Sequence, residues 1–231
     1  MSVLTSHFKY WAAFSIVAIT AVSLAWWDSG DVLHSSLALI AAITGMAYTL
    51  LAGRGQIACF AFGFINAPLY AYLSWHWGYY GDMALNLYYS VMMFPGYVCW
   101  KRHIRQNTFG DIVKTRLSTK ERWIWALVIV AVLPATWATL SALGGSRPLC
   151  DALTNVLSVA AIILTVKRCI EQWVMWIAVD AIEVVMWFRV DAASYALLAM
   201  WLLFLADGIY LFKLWIDDMR ADIRIGKAHM V

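Results

Sequence analysis

Eight long apolar stretches dominate the sequence and leave few folds open to it. They lie at about residues 8–27, 31–52, 57–77, 81–100, 122–142, 149–167, 172–190 and 193–215. A helix needs about 20 apolar residues to cross a hydrocarbon core of about 30 Å, and each stretch has about that length. Only 13% of the residues are charged and 63% are hydrophobic, whereas soluble domains have about 25% charged residues. We therefore predict an all-α polytopic membrane protein with eight transmembrane helices.

A polar, basic segment at residues 101–121 interrupts this series. Four apolar stretches precede it, a single stretch follows it directly, and three more complete the series. We divide the chain into four parts, which are an extra N-terminal transmembrane helix (1–30), a first three-helix repeat (31–100), the basic loop with a linking helix (101–148) and a second three-helix repeat with a tail (149–231).

The two groups of three stretches resemble each other faintly. Arg54 precedes Asn66 by twelve positions, and Arg168 precedes Asp180 by the same distance. Because a single helix separates the groups, the second would cross the membrane in the same directions as the first. The pattern therefore predicts a parallel repeat, related by an axis along the membrane normal.

The basic residues indicate which way the chain crosses the membrane. If the N-terminus is cytoplasmic, eight spans place 15 of the 17 lysines and arginines on the cytoplasmic side, and only Arg147 and Arg189 fall outside. Cytoplasmic loops carry an excess of Lys and Arg. We predict that both termini and the basic loop are cytoplasmic. The same rule accounts for the charge of the loop, so we predict no nucleic-acid partner.

The stretch from residue 171 to 188 carries an unusual polar stripe. At 100° per residue, Trp173, Trp176, Asp180, Glu183 and Trp187 fall within an arc of roughly 80°. Each acid would cost about 2.5–3.5 kcal/mol at the bilayer centre, so the stripe must face protein or water. It forms either a solute site with aromatic platforms or a helix–helix seam. We favour a site for the set, and a place in the interfacial aromatic belt for Trp187 alone.

Four polar residues lie near the middle of predicted spans, two in each group of three. They are Asn66, Asn86, Asp180 and Asp207. Transporters built from repeats bind their solute at mid-membrane, where the halves meet. The alternative is hydrogen bonding between neighbouring helices, at about 0.6 kcal/mol each. Both interpretations stay open for Asn66 and Asn86, whereas Asp180 and Asp207 are predicted to line the cavity.

Signs of catalysis or of a cofactor are missing from the sequence. It has no P-loop, no HExxH and no glycine-rich dinucleotide turn. The five histidines and four cysteines are dispersed along the chain. We therefore predict that the protein is not an enzyme and has no metal site or cofactor.

Five segments resemble the PnuC family of vitamin-precursor transporters. They are FGFINAPLYAY (62–72), YYGDMALNLYY (79–89), FPGYVCW (94–100), LSVAAIILTVKRCIEQWVMWIAVD (157–180) and FLADGIYLFKLW (204–215). The resemblance covers about residues 40–215. It implies a 3+1+3 arrangement similar to SWEET sugar transporters, with one extra N-terminal helix. It also implies a homotrimer in the bacterial inner membrane, and facilitated diffusion of nicotinamide riboside followed by trapping through cytoplasmic phosphorylation.

The resemblance also implies which residues bind the substrate. Trp173 and Trp176 would stack on its ring, and the residues around the ring would be Asn66, Asn86, Tyr89, Met93, Asp180, Glu183 and Asp207. Asp180 and Asp207 stand where the nicotinamide riboside branch usually has asparagine, and Met93 stands where it has glutamine. These acids make thiamine, a cation, the second candidate substrate. An alternative of another class is a non-transporting membrane assembly subunit whose polar stripes are only helix seams.

Overall fold

A computed structural model describes residues 3–104, 111–144, 147–188 and 195–228, which form eight helices. The helices are α1 (Val3–Ala25), α2 (Val32–Arg54), α3 (Cys59–His76), α4 (Tyr80–Lys101), α5 (Thr119–Ala142), α6 (Pro148–Val166), α7 (Glu171–Trp187) and α8 (Tyr195–Ala228). Each predicted stretch corresponds to one helix, so the all-α prediction is confirmed. Of the basic residues counted above, Arg105 and Arg189 lie outside the described residues.

Local sequence signals explain several helix boundaries. Asp31 caps the start of α2, where its side chain accepts a hydrogen bond from the backbone N–H of His34. The same helix ends at Gly55, whose φ of 71° suits a residue without Cβ. Ser118 and Glu121 form a capping box that starts α5. These boundaries therefore follow from residues close to them in the chain.

The last helix is longer than the apolar pattern predicted. The stretch ends at residue 215, but α8 continues to Ala228. The additional residues, IDDMRADIRIGKA, are mostly polar and contain no proline. Hydropathy marks the part of a helix that lies in lipid, whereas a helix continues as long as its backbone hydrogen bonds do. The sequence placed these residues in a tail, and in the structure they continue α8.

Five helices are long and apolar enough to cross a membrane, judged by length and composition over the described residues. They are α1, α2, α5, α6 and α8. The other three are shorter or more polar, and α7 has 17 residues with three acids among them, Glu171, Asp180 and Glu183. Every predicted site residue except Asp207 lies on α3, α4 or α7. The helices that carry the polar stripes are thus those with the weakest membrane-span signal.

The helices pack as two groups of three. Helix α3 lies between α2 and α4, and α7 lies between α6 and α8. Between the groups, α4 contacts α6 and α2 contacts α8. If α2, α3 and α4 are exchanged with α6, α7 and α8 in that order, each of these two contacts becomes the other. Helix α1 packs on α2 and α8, and α5 packs on α6.

Equivalent turns join the first two helices of each group. Gly55 and Gln56 donate backbone hydrogen bonds to carbonyl groups three and five residues earlier, and Arg168 and Cys169 do the same. Gly55 and Arg168 both have a positive φ, of 71° and 61°. The turns therefore align Gly55 with Arg168, one position away from the predicted alignment of Arg54 with Arg168.

Paired aromatic rings fill the core of both groups. Phe60 packs edge to face with Trp100 at 5.1 Å between ring centroids, and Trp173 packs edge to face with Trp215 at 6.0 Å. All four rings are buried in one cluster. The indole N–H of Trp100 also donates to the carbonyl of Thr165 at 2.8 Å, which joins the first group to the second.

Residues 111–118, here called the strap, bind both turns. The backbone N–H of Ile112 donates to the carbonyl of Gly55 at 2.9 Å, and the N–H of Thr115 donates to the carbonyl of Arg168 at 2.9 Å. From the sequence, this segment was predicted only as part of a basic loop. In the structure it ties the two helix groups together at one end of the bundle.

Two ion pairs reinforce the strap end. Lys114 is buried, forms an ion pair with Asp218, and lies 5.0 Å from the centre of the Trp215 ring. Arg122 donates two hydrogen bonds to Glu171, at 3.0 and 2.9 Å. Asp218 belongs to the part of α8 that the hydropathy pattern did not predict, so the longer helix supplies a partner for the strap.

Candidate functional site

Four predicted site residues meet in one hydrophobic cluster. Trp173 is buried, Trp176 is half-buried, and Met93 and Tyr89 belong to the same cluster from α4. The Tyr89 ring contacts that of Trp176 edge to face, at 6.1 Å between centroids and 70° between planes. Trp176 therefore faces the first helix group, as a site between the groups requires, whereas the ring of Trp173 contacts Trp215 of its own group.

Asp180 lies one turn beyond Trp176, buried at the contact between α7 and α8. A Cβ placed on Gly208 would lie 3.6 Å from an oxygen of Asp180 and 3.2 Å from Ile177. The glycine thus lets α8 approach the acid closely. Glu183 and Asp207 are the acids that interact electrostatically with Asp180, so a cation placed among the ionised forms of the three would be stabilised by all of them.

Asp207 binds the N-terminal helix. One carboxylate oxygen accepts hydrogen bonds from the indole N–H of Trp11 at 2.6 Å and from the hydroxyl of Ser15 at 2.8 Å. The other oxygen is buried without a hydrogen-bond partner among the described residues. This contact with α1 was not predicted, although Trp11 and Ser15 are one helical turn apart. The contact of Asp207 with a solute stays a prediction.

The two predicted asparagines use their amide N–H groups on nearby backbone. Asn66 donates to the carbonyl of Ala41 on α2 at 2.6 Å and lies against Gly45, where a Cβ would be only 2.8 Å from its nitrogen. Asn86 donates to the carbonyl of Asp82 in its own helix at 2.8 Å. The sequence left open whether Asn66 binds a solute or a neighbouring helix, and the contact seen here is with a neighbouring helix.

Tyr48 is a central residue that the sequence analysis missed. It packs in the same cluster as Met93 and lies against Gly63. Its hydroxyl is buried and has no hydrogen-bond partner among the described residues. The nearest signal was Thr44, a polar residue one turn earlier in the same stretch. A buried hydroxyl without a partner is costly and is a natural contact for a polar solute.

Three acids converge at the end of the bundle opposite the strap. Asp82 lies in the first turn of α4, Asp151 in the first turn of α6, and Glu183 near the end of α7. The three carboxyl groups are close enough to interact electrostatically, and Arg147 partly offsets the charge of Asp151. We call these three residues the acidic group. Asp151 was not among the predicted site residues, although the first turns of α4 and α6 each carry an acid.

Two cavities lie elsewhere in the bundle. One of about 310 Å³ lies between α5, α6 and α7 and is lined by Trp125 and Met175 among others. The other, of about 350 Å³, lies between α1 and α8 beside Trp11 and Tyr210. Neither is lined by a predicted site residue.

Two of the five histidines predicted to be dispersed lie side by side. His34 and His76 stack with ring centroids 3.6 Å apart, beside Asp31. The hydrogen bond from His34 lowers the pKa of Asp31, whose side chain is therefore a carboxylate at neutral pH. Separation along the chain did not reveal this group because helices of similar length return the chain to the same end of the bundle.

Residues 35–217 match the family model described as nicotinamide mononucleotide transporter. The chain belongs to the PnuC family. It is similar to the nicotinamide riboside transporter PnuC of Neisseria mucosa, with 34% identity over 193 residues, covering 78% of this chain and 72% of that protein. The protein of the same name from Haemophilus influenzae is 30% identical over 208 residues, covering 89% and 90%.

A solved structure shares the fold. The crystal structure of the vitamin B3 transporter PnuC matches with a TM-score of 0.74 and 27% identity over 90% of this chain and 91% of that one. The resemblance seen in the sequence is thereby confirmed. The protein is a multi-pass membrane transporter of a bacterial family and not an enzyme.

Proposed function

We propose that the protein carries nicotinamide riboside into the cell by facilitated diffusion, and that phosphorylation in the cytoplasm then traps the substrate. Its relatives from Neisseria mucosa and Haemophilus influenzae are named as nicotinamide riboside transporters. The observation that carries the proposal is the row formed by Trp173, Trp176 and Asp180 on α7, which faces Tyr89 across the boundary between the helix groups.

These residues suit a flat, positively charged ring. Tryptophan attracts cations over its face, by about 2 kcal/mol or more where water is excluded. Asp180 lies one turn from Trp176, and a buried carboxylate is costly until it is paired. A pyridinium ring between the tryptophans would supply that pairing. The remaining contacts would come from Asn66, Asn86, Met93, Glu183 and Asp207.

The acidic group would favour entry of a cation from the opposite side to the strap. Asp82, Asp151 and Glu183 come from three helices, and their charges act on one another. Acids that line one mouth raise the local concentration of a cationic solute and speed its association.

A parallel repeat would allow the two groups to move against each other. The matching turns at Gly55 and Arg168 and the exchangeable contacts between groups support a 3+1+3 arrangement with α1 added. We place both termini and the strap in the cytoplasm on the charge asymmetry of the sequence. Labelling of an introduced cysteine at Lys120 from outside the cell, together with protection at Gly144, would contradict this orientation.

Helix α5 offers a surface for assembly. None of its residues is buried, and large apolar side chains such as Trp123, Leu127 and Val130 are exposed along it. In the membrane this surface meets lipid or a second copy of the chain. The homotrimer implied by the family resemblance would place part of it between subunits.

Thiamine is the second candidate substrate, and the acids favour it. Thiamine is a cation whose aminopyrimidine can donate hydrogen bonds to a carboxylate. Asp180 and Glu183 supply carboxylates on the same helix as the two tryptophans. Asparagine in place of Asp180 would keep the shape and the hydrogen bonding but remove the charge.

A binding titration separates the two substrates. Wild type and Asp180→Asn are titrated with nicotinamide riboside and with thiamine, and Asp217→Asn, on the extension of α8, is the matched control. We expect Asp180→Asn to bind thiamine more weakly and nicotinamide riboside as well as before or better. If the substitution changes both affinities alike, Asp180 does not discriminate between the ligands.

Tryptophan fluorescence tests the proposal against an assembly subunit. We expect nicotinamide riboside to quench the fluorescence of wild type, and Trp176→Ala to bind it about 30-fold more weakly, as a loss of about 2 kcal/mol implies. Trp137→Ala, which changes an exposed residue of α5, should behave as wild type. A lack of quenching by either vitamin would favour the assembly subunit.

A further inference from the structure

Three side chains with metal-binding atoms lie together at the end of the bundle opposite the strap. Asp31 caps α2, His34 lies in the first turn of that helix, and His76 is the last residue of α3. One ligand atom from each lies within 4.8 Å of the other two. His34 Nδ1 is 2.8 Å from both carboxylate oxygens of Asp31, and the two imidazole rings stack with their planes 11° apart.

The helices hold these side chains in place. The backbone N–H of His34 donates to the Asp31 carboxylate at 3.3 Å, which fixes the acid at the start of α2. Helices α2 and α3 pack against each other, so the backbone sets the separation of His34 and His76. The hydroxyl of Tyr72, one turn before His76, lies 3.3 Å from Nε2 of His34. No long loop is needed to bring the group together.

Helix capping alone does not explain why all three side chains lie together. A helix cap requires only Asp31 and the backbone N–H of His34. It does not require a second imidazole, on another helix, stacked on the first at 3.6 Å. Two imidazoles and a carboxylate from converging helix ends do form a ligand set used for zinc.

We propose that Asp31, His34 and His76 form a binding site for a divalent transition-metal ion of the Zn²⁺ or Ni²⁺ class. Imidazole suits these ions, whereas Mg²⁺ and Ca²⁺ prefer oxygen ligands alone. Three protein ligands leave a fourth position for water or for the hydroxyl of Tyr72. The bound ion would join the start of α2 to the end of α3.

Closure of the site needs only side-chain rotation. Zinc–ligand distances of about 2.1 Å place tetrahedral ligand atoms about 3.4 Å apart, compared with a present separation of up to 4.8 Å. His76 is exposed, so its ring can turn out of the stack and direct a nitrogen towards the ion. This rotation is required because the nitrogen lone pairs of stacked rings lie side by side and do not point at a common position.

The test is a titration with the metal alone. Full-length protein with its purification tag removed is placed in lipid nanodiscs, Zn²⁺ binding is followed by calorimetry, and Tm is measured with and without Zn²⁺. We expect one Zn²⁺ per chain and a rise in Tm. Mg²⁺ and Ca²⁺ at the same concentration should leave Tm unchanged. Equal responses to all three ions would overturn the proposal.

Variants locate the bound ion. His76→Gln and Asp31→Asn should each weaken Zn²⁺ binding by about tenfold or more. Asparagine is also a good helix cap, so Asp31→Asn keeps α2 intact. The control is His103→Gln, which changes an exposed histidine near the strap and should bind as wild type. Zn²⁺ binding of equal affinity and stoichiometry in wild type and His76→Gln, or no binding by wild type, would rule the site out.

Discussion

The two ends of the bundle are held in opposite ways. At the strap end, backbone hydrogen bonds from residues 111–118 reach the turns of both helix groups, and the buried Lys114 pairs with Asp218. At the other end, the acidic group brings together Asp82, Asp151 and Glu183, whose charges repel one another. One end is joined by specific attraction, whereas the other gathers three acids, and Arg147 offsets only part of their charge, at Asp151. A cationic substrate would offset more of it. Substitutions at the two ends should therefore act in opposite directions.

The largest expected effect is at the strap. Lys114→Met removes the charge that pairs with Asp218 and the contact with Trp215, while keeping much of the side chain's volume. Breaking a buried pair costs about 3–5 kcal/mol, and we expect about 2 kcal/mol because the partner is partly exposed. The measurement is Tm in nanodiscs, with the exposed Lys120→Met as control. Equal Tm values for both variants would show that the strap does not hold this end together.

A smaller loss is expected from Glu171→Gln. The change removes the charge that receives two hydrogen bonds from Arg122, but the amide oxygen can still accept one. We expect a loss of about 1 kcal/mol, since Arg122 is partly exposed to solvent. High salt should reduce the difference from wild type. A difference that grows with salt would contradict an electrostatic cause.

The same acid-to-amide change at the opposite end should not destabilise the protein. Asp82→Asn relieves the repulsion from Asp151 and Glu183, so we expect the stability to stay within about 0.5 kcal/mol of wild type or to rise. Association of a cationic substrate should become slower, most clearly at low salt. Stopped-flow fluorescence measures that rate. A loss of stability as large as that of Glu171→Gln would remove the contrast between the ends.

The sequence predicted the parts of this structure that depend on local composition. Apolar length predicted the eight helices, and the spacing on one helix predicted that Trp173, Trp176 and Asp180 share a stripe. The part of α8 after residue 215 was missed because a polar helix has no hydropathy signal. The strap was missed because its backbone hydrogen bonds join residues far apart in the chain.

Long-range pairing also limited the prediction of the site. Asp207 binds Trp11, which lies 196 positions earlier, and His34 stacks on His76 from another helix. A single sequence carries no information about which polar side chains of different helices meet. The same limit applies to Tyr48, whose position in the central cluster depends on how α2 packs against α3 and α4.

Uptake by purified protein in liposomes tests the central claim most directly. We expect labelled nicotinamide riboside to enter until its internal and external concentrations are equal, with neither ATP nor an ion gradient present. With the membrane potential held at zero, an imposed proton or sodium gradient should not change that final ratio. Accumulation above equality that disappears when the gradient is removed would contradict facilitated diffusion, and uptake no faster than in protein-free liposomes would contradict transport of this substrate.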